Sequence, residues 1–236
     1  MRILGIESSS LVASVAIVTD DILTAEYTVN YKKTHSQTLL PMIDEVTRLL
    51  EIDLDCVDAI AVSAGPGSFT GLRIGSATAK GLGLALKKPL IHVPTVDAMA
   101  YNLWGAKGLV CPIMDARRSQ VYTGIYRFDE EFEIVKEQCP MAVQDLAEEL
   151  NRLGEKVTFL GDGVPVYRED LAQSLKVEFS FAPAHMNRQR AGAVAVLGGI
   201  YYQQGKTETA AEHGPDYLRL SQAERERAAA MAAEAK

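Results

Sequence analysis

The alternation of apolar and polar positions predicts three strands at the start of the chain. Arg2–Glu7 is short and apolar; Val12–Val18 alternates, with Val12, Ser14, Ala16 and Val18 on one face; Ile22–Val29 alternates too. Gly5 and the run Ser8-Ser9-Ser10 punctuate the first two. Between Ser36 and Glu51, Leu39, Ile43, Val46 and Leu50 recur at helical spacing, with Ser36 as the expected N-cap and Pro41 near the helix start. Val57–Ser63 reads as a buried strand. It runs into a glycine-rich turn, Ala64–Arg73, and then a helix to about Leu86.

A second series repeats this order. Leu109–Met114, Gln120–Arg127 and Glu131–Glu137 read as strands, Val143–Leu153 as a helix, Val157–Leu160 as a strand and Pro165–Ser174 as a helix. A last helix is expected from about Arg188 to Gln204. Two β-β-β-α-β-α series with no alignable repeat predict an α/β fold of two ribonuclease-H-like lobes, each a mixed sheet covered by helices. The boundary is expected near Trp104-Gly105, giving lobes of residues 1–104 and 105–222. Residues 223–236, rich in alanine and charge, predict a surface helix or a frayed end.

The most distinctive stretch is the turn itself, where Gly65, Pro66, Gly67 and Gly71 define an unusual backbone path. Two readings stand: a tight structural turn, or a turn that presents amides around Ser68 to an anion or a partner. In the helix that follows, Gly71, Gly75 and Ala79 recur every four residues, with Gly81 and Gly83 further on. Each helical glycine costs about 1 kcal/mol relative to alanine. The stripe therefore implies close packing, either on the chain's own sheet or along a seam with a second chain. Glu7, at the end of the first strand, would face the cleft between the lobes, where an acid orients a metal-bound water or caps a turn. Asp115-Ala-Arg-Arg opens the second lobe at the equivalent position. Ala116 puts a β-carbon where a phosphate loop would want glycine, so a hairpin turn is expected there, its arginines free for ion pairs or a partner. Gly161-Asp-Gly163 sits where a nucleotide packs in related folds, and alone is weak evidence.

The formal charge of −7 opposes independent binding to nucleic acid, which needs a basic footprint. Cys56, Cys111 and Cys139 are widely separated without a CxxC, as expected of reduced thiols in a cytoplasmic protein. Neither a signal peptide nor a membrane span is expected. The chain contains no GxxxxGK[ST] and no Gly-x-Ser-x-Gly, and its histidines (His35, His92, His185, His213) form no spaced ligand pair. No metal site is expected on them, and the strand ends beyond Glu7 do not supply the clustered carboxylates of a nuclease.

Ile3-Leu-Gly-Ile-Glu-Ser-Ser9, His35-Ser-Gln-Thr-Leu-Leu-Pro41, Ser63-Ala-Gly-Pro-Gly-Ser-Phe-Thr-Gly-Leu-Arg-Ile-Gly75, Asp115-Ala-Arg117 with Val121-Tyr122, and Pro215-Asp-Tyr-Leu-Arg219 together resemble the TsaB (YeaZ) family. The matches span nearly the whole chain, and the glycine block is highly specific. The resemblance implies an actin/Hsp70/sugar-kinase-like fold and a non-catalytic subunit. Such a subunit pairs with TsaD, which transfers a threonylcarbamoyl group to adenosine beside the tRNA anticodon. It implies assembly with the ATPase TsaE, homodimers when alone, and tRNA reached only through the complex. No catalytic residue is implied, and no cofactor of its own; ATP or ADP would sit at the partner interface. The implied partner surface lies on helices 36–50 and 70–86, through His35, Leu39, Leu40, Ile43, Gly71, Arg73, Gly75 and Ala79. Glu7, Gly65, Gly67, Ser68, Asp115, Gly161 and Gly163 are the turn or nucleotide residues. TsaD-like sequences carry a His-x-x-x-His pair, where this chain has His35 followed by Leu39. The rival readings are an ATP-dependent phosphotransferase of the same fold, disfavoured by Ala116, and an endopeptidase, for which no triad or zinc pair is present.

Overall fold

A computed structural model describes residues 1–129 and 131–218, so the tail expected at 223–236 lies outside the described residues. The first sheet comprises β1 (Arg2–Glu7), β2 (Val12–Thr19), β3 (Ile22–Asn30), β4 (Ala59–Gly65) and β5 (Leu90–Pro94), in the order β3-β2-β1-β4-β5. β1–β2 and β2–β3 pair antiparallel, and β1–β4 and β4–β5 parallel. Two helices, α1 (His35–Leu50) and α2 (Phe69–Leu86), cover one face. The period of two decides which side chains meet them: Leu4, Ile6, Ile60 and Val62 pack with Leu39, Ile43, Val46 and Ala79. Ile3, Ala59 and Ala61 point to the opposite face.

The second sheet repeats the plan with β6 (Leu109–Asp115), β7 (Gln120–Phe128), β8 (Phe132–Ala142), β9 (Val157–Leu160) and β10 (Phe179–Phe181), ordered β10-β9-β6-β7-β8. The helices α4 (Val143–Leu153) and α5 (Val164–Ser174) share its core through Leu146, Leu150, Tyr167 and Leu171. Each half is thus β-β-β-α-β-α-β-α: the first is one strand and one helix longer than the pattern predicts, the second one strand longer.

The elements missed by pattern are β5, α3 (Thr95–Tyr101) and β10. β5 is five residues bounded by prolines, α3 is only seven residues, and β10 is three half-buried residues. All are too short to show a period. Helix α1 begins one residue early: Thr34, not Ser36, occupies the cap position, and its side chain makes no capping bond. The strand expected at Val57–Ser63 runs instead from Ala59 to Gly65, after a short 3-10 turn at Leu54–Cys56.

The halves also exchange helices. α3 follows the first sheet yet packs Val96, Met99 and Ala100 on Val110, Met114 and Leu160 of the second. α6 (Ala191–Gln203) follows the second sheet and returns to the first, laying Val194, Ala195 and Leu197 on Ile3, Ala59 and Ile91. Sequence range and lobe therefore part company after residue 190: α6 lies within 105–222 but completes the core of the first sheet. The buried Asp97 of α3 accepts a 2.6 Å hydrogen bond from the Tyr126 hydroxyl of β7, which ties the two sheets together.

Candidate functional site

The glycine block does its work inside the chain. Gly65 has φ +128°, and a β-carbon there would run into the Asp216 carbonyl. β-Carbons added at Gly67 and Gly71 would meet the carbonyls of Ser9 and Ser8, and one at Gly75 the Ser8 hydroxyl. The turn after β1 is thereby clamped against α2. Ser68 N–H donates to Ser9 O at 2.6 Å, Ser8 Oγ donates to Gly71 O at 2.9 Å, and His35 Nε2 lies 2.8 Å from Ser10 O. Ser68 also caps α2, its hydroxyl accepting from Gly71 N–H at 3.3 Å. Of the amides around Ser68, one reading of which had them facing an anion, those of Ser68 and Gly71 are bonded within the chain.

From the other side the segment 213–217 closes over the same turn. Asp216 N–H donates to Ala64 O at 2.6 Å, and Tyr217 stacks on Phe69 with ring centroids 4.4 Å apart. Arg73 Nε donates to the Tyr217 hydroxyl at 3.0 Å.

This placement corrects the expected partner surface. His35, Leu39, Ile43, Gly71, Gly75 and Ala79 are all buried in the chain's own packing. A buried side chain cannot meet a partner without unfolding its neighbours, so of the eight residues only Leu40 and Arg73 remain outward. A different stripe faces out. Arg73, Ala77, Gly81, Leu84 and Ala85 of α2 are exposed, and a β-carbon at Gly81 would meet nothing within 4 Å. Leu84, on that face, is 68% exposed; α1 exposes Leu40 and Leu49, at 54% and 67%, on opposite edges of that helix. Ala77, Gly81 and Ala85 are also four apart, so the same periodicity marks this second stripe in the sequence.

Between the sheets lies a cleft of about 730 Å³, bordered by Ser9, Ser10, Lys33 and Ser68 on one side and Asp115, Arg117 and Asp162 on the other. Glu7 sits beneath it, 1% exposed, its Oε1 accepting from the Ser9 amide and hydroxyl at 2.6 Å each. That is the turn-capping role. Burial pushes its carboxyl above the usual carboxylate range, against the pull of the Ser9 hydrogen bonds. Burial likewise raises Asp162, which the Arg188 charge opposes and the Asp115 charge reinforces. Asp115 ends β6 and Asp162 follows β9, so both border this region, but with Glu7 they form no metal-ligating cluster among the described residues.

The β6–β7 turn is a hairpin, as read. Arg117, Arg118 and Ser119 take φ of 62°, 55° and 56°, with Asp115 Oδ1 accepting from Arg117 N–H and the Tyr167 hydroxyl, both at 2.8 Å. Among the described residues, neither Arg117 nor Arg118 makes an ion pair. Gly161 and Gly163 are explained by packing: a β-carbon on either would press on the Ile113 carbonyl, which accepts Gly163 N–H at 3.0 Å. No helix among the described residues is long and apolar enough to cross a membrane.

Two mixed sheets with a cleft between them define the actin/Hsp70/sugar-kinase-like class. An Arthrobacter polyphosphate/ATP-glucomannokinase shares the fold at TM-score 0.51 and 13% identity, over 84% of this chain and 98% of that one. YeaZ from Pseudomonas aeruginosa superposes with TM-score 0.75 and 25% identity, over 92% of this chain and 99% of its own. Residues 23–227 match the family described as TsaD, tRNA N6-adenosine threonylcarbamoyltransferase. The tRNA threonylcarbamoyladenosine biosynthesis protein TsaB of Bacillus subtilis is 33% identical over 95% of this chain and 96% of its own length. That of Haemophilus influenzae is 33% identical, over 80% of this chain and 81% of its own. The chain belongs to the TsaB (YeaZ) family.

Proposed function

We propose that this chain acts in the biosynthesis of threonylcarbamoyladenosine on tRNA, as a non-catalytic subunit that binds and positions TsaD. The observation that carries the reading is the outward stripe Ala77-Gly81-Ala85, with the exposed Leu84 on the same face of α2. Small residues at four-residue spacing let a second helix approach the α2 backbone, and Leu84 supplies apolar area. The same surface would serve a homodimer when TsaD is absent. TsaE would join the assembled pair, and tRNA would be held by the complex, in keeping with a chain of net charge −7. A catalytic role is disfavoured by the capped α2 N-terminus and by Ala116 in the second-lobe turn. ATP or ADP would lie at the partner interface.

The test is sedimentation velocity on the wild type and Gly81→Leu, each alone and mixed with TsaD from the same organism. Because Gly81 faces open space, the variant should melt no lower than the wild type and lose both the homodimer and the heterodimer. A Gly81→Leu chain that still pairs with TsaD would remove α2 from the seam.

A further inference from the structure

Away from the cleft and the outward helix face, the fold assembles metal-ligating side chains that sequence spacing keeps apart. Leu90 of β5 pairs with Glu208 in an isolated antiparallel bridge, its two backbone hydrogen bonds both 2.9 Å. His92, two residues along β5 from Leu90, lies on the same side of the strand and faces the Glu208 side chain. The chain then makes a turn held by reciprocal capping. The Glu212 carboxylate accepts from the Thr209 amide and hydroxyl at 2.9 and 2.8 Å, and the Thr209 hydroxyl accepts from the Glu212 amide at 3.3 Å. This turn brings His213 back over Glu208, and Lys80 Nζ donates to the His213 carbonyl at 2.8 Å.

One nitrogen of each histidine and one Glu208 carboxylate oxygen lie within 4.8 Å of one another. His92 Nδ1 is 3.9 Å from Glu208 Oε1, and His213 Nδ1 hydrogen-bonds the same oxygen. The His213 side chain is 0% exposed, and its Nε2 has no hydrogen-bond partner. The cluster borders an open cavity of about 350 Å³, which His92 and Glu208 both line.

We propose that His92, Glu208 and His213 form a binding site for a divalent transition-metal ion of the zinc type. Two imidazoles and a carboxylate are a recognised zinc donor set, and the cavity leaves a further position for water. Bonds of about 2.0–2.1 Å in a tetrahedral site set donor atoms roughly 3.3–3.5 Å apart. The His92–Glu208 gap of 3.9 Å therefore has to close by well under an ångström. The ion takes the place of the hydrogen between His213 Nδ1 and Glu208, and a neutral imidazole bound in this way carries its ring proton on Nε2. Asp216 completes the arrangement. Its Oδ2 lies 3.8 Å from His92 Nε2, beyond hydrogen-bond distance, and a shift of less than an ångström would let it accept the N–H of that nitrogen and leave Nδ1 to ligate. Occupancy would clasp the segment 207–217 to β5, and that segment is the one that covers Gly65 and stacks Tyr217 on Phe69.

The experiment uses the full chain carrying Cys56→Ser, which removes the exposed thiol as a competing ligand. After EDTA treatment and its removal, the protein is titrated with zinc chloride by calorimetry and with cobalt chloride by visible absorption. One equivalent should bind saturably and raise Tm, with cobalt giving the d–d bands of a four- or five-coordinate N/O site. His92→Ala and Glu208→Gln, both at partly exposed positions, should abolish that equivalent, and Asp216→Asn should weaken it about tenfold. His213 is avoided because its burial makes misfolding of its variants an ambiguous result; each variant used is checked for wild-type circular dichroism. Absence of saturable one-equivalent binding would overturn the proposal, and so would binding undiminished in His92→Ala and Glu208→Gln.

Discussion

Gly71 and Gly81 lie on one helix and answer to different forces. At Gly71 a β-carbon collides with the Ser8 carbonyl, a backbone atom that cannot rotate away; at Gly81 it meets only solvent. Gly71→Ala should therefore lose about 1–3 kcal/mol in urea denaturation despite the better helix propensity of alanine. Gly81→Ala should gain about 1 kcal/mol. Equal effects from the two would contradict the assignment of inner and outer faces. Glu7 makes a second residue-scale case. Burial raises its carboxyl in the folded chain, so the folded state holds the proton more tightly than the unfolded one. Its favourable contribution is complete below the ordinary carboxylate range and is lost as pH rises through the raised value. Unfolding free energies of Glu7→Gln and wild type, compared from pH 4 to 8, should diverge in the variant's favour as pH rises. A constant difference would show that the Ser9 hydrogen bonds fully compensate burial.

At the scale of elements, α2 has two narrow stripes of small residues on opposite sides. The inner one lets the β1–β2 turn press against the helix backbone, and the outer one is left for a second helix. The expectation of a seam at Gly71, Gly75 and Ala79 confused these faces, since four-residue spacing describes a line along the helix without saying which side is covered. Substituting Gly75 or Ala79 would test the monomer's packing; only the Gly81→Leu experiment isolates pairing. The long elements were legible because their apolar positions repeat often enough to define a period: β2, α4 and α5 fall within a residue of their expected bounds. β5, α3 and β10 were not, because segments of five, seven and three residues hold too few repeats.

For the whole molecule, the coupling of the two sheets rests on helices exchanged between them and on one buried carboxyl. Asp97 is held above its usual range by burial, opposed by the hydrogen bond from Tyr126 on the second sheet and by the Tyr201 hydroxyl of α6. Tyr126→Phe removes a donor to that carboxyl and should cost about 1–3 kcal/mol, read as a fall in the midpoint of thermal unfolding. An unchanged midpoint would mean that Tyr201 alone satisfies Asp97. The duplicated α/β plan, the family and the glycine turn were all determined by sequence, since periodicity and the backbone demands of Gly65, Pro66 and Gly67 are local properties. Tertiary structure alone decided that α6 returns to the first sheet, that the inner stripe is already occupied, and that His92 meets His213. Each of these depends on which distant segments share space, and no spacing along the chain encodes that: the apolar residues of α6 would have suited either sheet, and two histidines more than a hundred residues apart become neighbours only when Glu208 pairs with Leu90.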